Sequence, residues 1–198
     1  MKQFVKIVKE VKGMVSPTEC FLFYTLAKSA DSDILEIGSW KGKSTCCFAL
    51  GAVRNLTTAS VKVHSIDPFE DSTLHKDLKQ DSTFDEYIDN LKEVGVNKTV
   101  TPHKMTSEMA YSFLHEQWKQ KKFSVIFIDG DHSYESCKKD FDMWTPFLKP
   151  GGVLIMHDSV VKERHPGPVM VVKEEIILKP DKWMLWEQVD QSTWAIKR

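Results

Sequence analysis

The stretch ILEIGSWKGKST, Ile34 to Thr45, decides how the chain is read. An apolar run carrying Glu36 leads into two glycines, and the close, Gly-Lys-Ser-Thr, looks like the end of a phosphate-binding P-loop. A Walker loop, G-x-x-x-x-G-K-[ST], holds one more residue between its glycines than Ser39, Trp40 and Lys41 supply here. Glu36 would also set a carboxylate beside a cradle meant for polyanionic phosphate. A strand, a tight turn and a helix remain, and the rest of the chain has to decide the ligand.

Outward from that stretch, short β-rich runs alternate with longer helical segments, the pattern of an α/β layered domain with a parallel sheet. The expected parallel strands are Ile34–Ile37, Val61–Ile66, Thr99–His103, Val125–Ile128 and Val153–Met156, and the expected helices Lys43–Arg54, Phe84–Val94, Ser107–Gln120 and Tyr134–Leu148. The required strand order is 3-2-1-4-5. Pro168–Leu178 reads as a further helix, after which Trp183–Glu187 and Ser192–Ile196 can only pair antiparallel as a hairpin. Residues 1–30 are expected to form a helical extension packed ahead of the first strand, over the mouth of the crevice. Residues 31–198 then make one domain, which the length of 198 residues suits.

The formal net charge of -1 leaves no electrostatic footprint for nucleic acid, and a small-molecule acceptor is favoured. Cys20, Cys46, Cys47 and Cys137 lack CxxC spacing and are too few for a disulfide framework, so they read as reduced, packed thiols. MKQFVKIVKEVKGMV interleaves apolar residues with lysines, unlike a signal peptide or a membrane span. The expected compartment is the cytoplasm, with no membrane partner; the oligomeric state is left open.

In open parallel sheets, ligands bind beyond the carboxyl ends of the strands. There the sequence places Glu36, Gly38 and Gly42, then Asp67, then Asp129-Gly130-Asp131-His132, then His157-Asp158. The glycines permit a sharp turn and close approach to a ligand, and the helix N-terminus at Lys43–Ser44 can satisfy a carboxylate. Glu36 can accept from an amino group, and Asp67 can accept both hydroxyls of a ribose. Amine, carboxylate and ribose together describe S-adenosylmethionine better than a triphosphate.

The motifs LEIGSWKGKST, VHSIDPF and VIFIDGDHSYESCKKDFDMWTPFLKPGGVLIMHDS, the last running from Val125 to Ser159, carry a family resemblance. The sequence resembles the class I S-adenosylmethionine-dependent methyltransferases, within them the small O-methyltransferase group that includes macrocin O-methyltransferase-like and cephalosporin hydroxylase-like proteins. The resemblance implies a Rossmann-like, seven-stranded, mostly parallel sheet with an antiparallel last strand. It places Glu36, Gly38, Ser39 and Gly42 around the methionine part of the cofactor, Asp67 on the ribose and Ser107 beside the adenine. Asp129 counts among the cofactor-binding and catalytic positions. Asp129 and Asp158 match positions that bind a divalent metal, with Mg2+ as the candidate, and His132 matches a catalytic base. The sequence departs from the pattern at His157, where metal-dependent relatives more often carry a carboxylate.

Plainer readings stand beside these. Asp129 is also a candidate helix cap, His132 and His157 candidate structural groups, and Trp40 a candidate packing residue. Lys41 and Lys43 read as solvated charges. The loops 68–83 and 160–168 read as surface connections or as lids over an acceptor pocket. The sequence reads best as an S-adenosylmethionine-dependent O-methyltransferase acting on a small hydroxylated molecule, whether sugar, polyketide-like or phenolic. Its transfer is an in-line displacement with the acceptor proton taken by His132 or eased by Mg2+. The rivals are a P-loop-like nucleotide-binding protein and a cofactor-binding module without catalysis; a NAD-dependent enzyme would need the absent GxGxxG.

Overall fold

Ile34–Ile37 (β1) is buried at every position, as a parallel strand covered on both faces must be. The structure is a computed structural model that describes residues 2–57, 60–70, 81–161 and 164–198. Flanking β1 are Val63–Asp67 (β2), Val100–Lys104 (β3), Phe123–Ile128 (β4) and Leu148–Met156 (β5), followed by Trp183–Val189 (β6) and Ser192–Lys197 (β7). Among the described residues the sheet has seven strands in the order β3-β2-β1-β4-β5-β7-β6. The first five are parallel, and β7 runs antiparallel to both β5 and β6. The expected order and the reversed last strand are both found.

Register sets the site. Ile37 lies level with Ile66 and with Ile128, and Ile128 with Met156. The next residues, Gly38, Asp67, Asp129 and His157, therefore leave the sheet along one edge. Alternation along β1 sends Ile34 to one apolar core and Leu35 to the other. The first core holds Lys2–Glu10 (α1), Pro17–Ser29 (α2), Lys43–Val53 (α3) and Phe84–Val94 (α4) through Ile7, Phe23, Phe48 and Leu91. The second holds Ser107–Leu114 (α5), Tyr134–Trp144 (α6) and Pro166–Val172 (α7) through Ala110, Phe141 and Val171. All four cysteines are buried and free, as expected. Among the described residues no helix is long and apolar enough to cross a membrane.

The boundaries differ where local chemistry overrides periodicity. The N-terminal segment is two helices, because Ser16 caps α2 with Pro17 at its first position and Glu19 closing a capping box. Helix α5 stops at Leu114, with Trp118 anchoring the turns beyond it in the core. Pro146 ends α6 in a 3-10 turn over Thr145–Phe147. Beyond α7 the chain continues as a π-helical turn, Lys173–Ile177. Strand β5 begins at Leu148, taking in the Lys-Pro-Gly-Gly run ahead of the expected start at Val153. Most of the loop 68–83, read as a surface connection or a lid, falls on 71–80, outside the described residues.

Candidate active site

A cavity of about 790 Å³ opens at the carboxyl edge of the sheet. It falls within the range of small-molecule sites. One wall is the glycine loop. Gly38 has φ +85°, and a Cβ there would lie 2.0 Å from the Asp129 carbonyl oxygen, so only glycine lets β1 turn against the end of β4. Asp67 holds this loop: its Oδ2 accepts from the Ser39 and Trp40 amides at 2.7 and 2.8 Å, and its Oδ1 from the Phe69 amide at 2.5 Å. Asp67 also lines the cavity, and its Oδ1, which accepts a single amide, keeps acceptor capacity for a ligand hydroxyl. Lys43 and Ser44, from the first turn of α3, complete this wall.

Glu36 and Gly42 sit differently from expectation. Glu36 is fully buried behind the loop, where one oxygen accepts from Ser39 Oγ at 3.0 Å and Thr45 Oγ1 at 2.5 Å. Its Oε1 is buried with no hydrogen-bond partner among the described residues, and burial pushes the carboxyl up to about 7. Neither Glu36 nor Gly42 lines the cavity. Gly42 is the left-handed N-cap of α3, where a Cβ would lie 2.8 Å from the Tyr87 ring. Both shape the loop from behind. Lys41, expected in solvent, is buried against Glu86 at 2.7 Å and lies over the Trp40 ring.

Ser107, at the start of α5, lines the far end and donates to Asp140 while accepting from Trp144 Nε1 at 2.8 Å. Burial raises Asp140 to about 7; the Ser107 hydrogen bond opposes the shift, and the charges of Glu108 and Asp131 add to it. Asp140 has no role in the sequence reading. Its signal is an acid on the helix face that Cys137, Phe141 and Trp144 bury.

On the opposite side Asp129, His132, His157 and Asp158 converge. His157 Nδ1 lies 3.0 Å from Asp129 Oδ1 and 3.4 Å from Asp158 Oδ2, and its Nε2 lies 3.5 Å from Glu19 Oε1. Burial alone would depress this histidine, but the surrounding carboxylates of Asp129, Asp158 and Glu19 hold it up at about 12. Carboxylates face both of its ring nitrogens, so the charged form is favoured, and His157 itself does not line the cavity. His132 Nε2 stands 3.6 Å from Asp129 Oδ1 and 3.5 Å from Asp158 Oδ2. Burial works against its charge too, and the two aspartates outweigh it and raise it. Burial would push Asp129 and Asp158 up, yet His157 keeps both low, with help from His132. Asp158 itself adopts φ +48°, an uncommon turn for a residue with a Cβ.

Glu19 is not legible as a site residue. Its Oε2 accepts from the Ser16 amide at 2.8 Å to close the capping box, while its Oε1 accepts from Ser192 Oγ at 2.7 Å. The capping box is visible in Ser-Pro-Thr-Glu; the contact with β5 and β7 exists only once the sheet has formed. The same N-terminal segment brings Gly13, Met14 and Val15 to the cavity, as the expected position over its mouth requires.

The predicted metal carboxylates, Asp129 and Asp158, do come together. Among the described residues, however, the other donors within reach are the imidazoles of His132, His157 and His165. Mg2+ demands oxygen ligands, so this donor set does not fit it.

This arrangement, a parallel sheet closed by a reversed β7 with a glycine loop and an acid-rich edge, is the Rossmann-like methyltransferase fold. The sequence profile of a family described as "Methyltransferase domain" matches residues 35–159, and the chain belongs to that family. Similar solved structures include the O-methyltransferase from Bacillus cereus in complex with SAH, with TM-score 0.69 and 20% identity, covering 100% of this chain and 91% of that one. The O-methyltransferase TomG from Streptomyces achromogenes, involved in tomaymycin synthesis and bound to SAM, gives 0.70 at 18% identity, covering 100% and 90%. The O-methyltransferase NovP gives 0.72 at 15%, covering 93% and 81%. At these identities the likeness is one of fold. A curated relative, "Uncharacterized protein y4gI" of Sinorhizobium fredii, is 34% identical over 56 residues, which is 28% of this chain and 6% of the relative's length.

Proposed function

We propose that the chain is an S-adenosylmethionine-dependent O-methyltransferase for a small hydroxylated acceptor such as a sugar, polyketide-like or phenolic compound. The observation that carries this reading is one cavity whose lining holds two chemically distinct sets of groups. In one, the Gly38 loop, Asp67 and the Ser107–Asp140 pair offer acceptors and backbone suited to a nucleoside and an amino-acid moiety. In the other, Asp129, His132 and Asp158 gather proton-accepting groups where an acceptor hydroxyl would enter.

S-adenosylmethionine supplies an electrophilic methyl group on a sulfonium. The protein then has to align a hydroxyl with it and relieve that hydroxyl of its proton. Asp67 fixes the loop and meets the ribose, Ser107 borders the base, and the Asp129–His132–Asp158 group orients the hydroxyl and receives its proton. Glu36 keeps the loop in shape and makes no direct contact.

Calorimetry with S-adenosylmethionine and with ATP, followed by methyl transfer to a panel of sugars and phenols, tests the reading. Asp67→Ala should weaken cofactor binding by about 1–3 kcal/mol, the loss expected for charge-assisted hydrogen bonds. ATP binding tighter than S-adenosylmethionine would restore the P-loop rival. Cofactor binding without transfer to any acceptor would favour a binding module.

A further inference from the structure

The two outer edges of the sheet are unlike. At one, β3 reads Val-Thr-Pro-His-Lys. Pro102 has no N–H to offer another strand and Lys104 sets a charge at the end of the row, two devices by which an exposed edge avoids further pairing. At the other, β6 reads Trp-Met-Leu-Trp-Glu-Gln-Val, with neither proline nor lysine. It pairs with β7 on one side, and among the described residues no strand meets its outer edge.

The side chains repeat the contrast. Residues 184–188 are all exposed, so β6 is covered on neither face. Trp186 is level with Ala195, which belongs to the second core, while Glu187 is level with Trp194, which packs on the first. By alternation β6 therefore carries Trp186 past the end of one core and Leu185 past the end of the other. The π-helical turn is tied to the strand by Trp183 Nε1, which donates to the Glu175 carbonyl at 2.7 Å, and exposed Ile177 and Leu178 follow from it. Of the fourteen large apolar residues exposed among the described ones, five thus fall within 177–186, a concentration that marks an interaction surface.

We propose that a second copy of this chain pairs antiparallel along β6, about a twofold axis through Trp186, to make one continuous sheet. A strand pairs with itself under such an axis without any other sequence, and the guarded β3 edge stops the assembly at two copies. An axis through Glu187 would set like charges face to face, and one through Leu185 would run into the bulge between Trp183 and Leu185. Through Trp186 the axis sets the two indoles against each other as an aromatic pair. At roughly 200 Å² for a free side chain of this size, exposures of 37–62% leave the five apolar residues with roughly 450–500 Å² between them. Glu187, Gln188 and the strand backbone bring this close to the about 600 Å² per partner of the smallest stable interfaces. None of these residues lines the cavity, and the inference stands apart from the methyl-transfer reading.

Sedimentation velocity on the full chain should show a species of twice 22.8 kDa that dissociates on dilution. Trp186→Lys and Leu185→Lys should each weaken association by about tenfold or more while circular dichroism stays that of the parent. Under oxidation Trp186→Cys should form an interchain disulfide, because Cα atoms facing each other across an antiparallel pair stand about 4.5–5.5 Å apart, within a disulfide's span. Gln188→Cys, whose two copies would lie well apart, should stay reduced, and the four native cysteines are buried. A protein that remains monomeric at its highest soluble concentration overturns the proposal. So does a dimer left intact by both lysine variants, cross-linking of Gln188→Cys as readily as of Trp186→Cys, or growth beyond two copies.

Discussion

Asp140→Asn should make the protein more stable, and by an amount that depends on pH. The carboxyl is 6% exposed and raised to about 7, first by burial, against the Ser107 hydrogen bond and with the aid of Glu108 and Asp131. In the unfolded chain an aspartate releases its proton at about 3.9. Between those values the folded state holds a proton that the unfolded state has lost, so stability falls as pH rises through the window and the cost is complete above it. At about 1.4 kcal/mol per pH unit, the whole window is worth about 4 kcal/mol. Asparagine keeps the acceptor for Ser107 and has no proton to lose. Its advantage over the parent should therefore widen by about 2–3 kcal/mol between pH 5 and pH 8, or about 5–10 °C in Tm for a chain of this length. Urea unfolding followed by tryptophan fluorescence at both pH values, with chelator present, measures the gap. A gap that stays constant with pH, which means that the carboxyl titrates alike in both states, or one that narrows toward pH 8, which means that the folded state binds fewer protons, would refute the reasoning.

Glu19→Ala removes the carboxylate that faces His157 Nε2 and caps α2, leaving an internal imidazolium short of a partner; unfolding assays should show a loss of about 3–5 kcal/mol. Gly38→Ala combines a left-handed φ with a Cβ 2.0 Å from the Asp129 carbonyl. It should cost about 2–4 kcal/mol in stability and abolish S-adenosylmethionine binding at concentrations that saturate the parent, as read by calorimetry.

The parallel core of the sheet is legible because each strand is a short apolar run followed by a polar or glycine-rich punctuation, and strands buried on both faces leave little choice of partner. Asp67, Asp129, His132 and Asp158 are legible for the same reason, as polar residues just past a strand. Glu36 and Gly42 stand out as special, but the sequence does not say whether a residue faces the ligand or the back of the loop that holds it, and both turn out to face the back. Asp140 stands inside a quoted motif without a role, its acid hidden among the apolar positions of α6. Glu19 and His165 are out of reach: each meets the site across the fold, from α2 and from the turn before α7, through contacts that no local spacing encodes. The helix ends fall at Leu114 and Trp144 because a buried tryptophan and a proline act locally against an otherwise continuous helical pattern.

Strand β7 lies between β5 and β6, although it follows both in sequence. Until Ser192–Lys197 has been synthesised, β5 has one unpaired edge, and the Ser192 hydroxyl that holds Glu19 does not yet exist. During synthesis the glycine loop and its Asp67 clasp can close early, from contacts made within the first seventy residues. Glu19 and His157 receive their last supports only afterwards. A chain that stopped short of Ser192 would therefore hold the Asp67 clasp while lacking the Ser192 support of Glu19, and would leave one edge of β5 open to pairing with other chains.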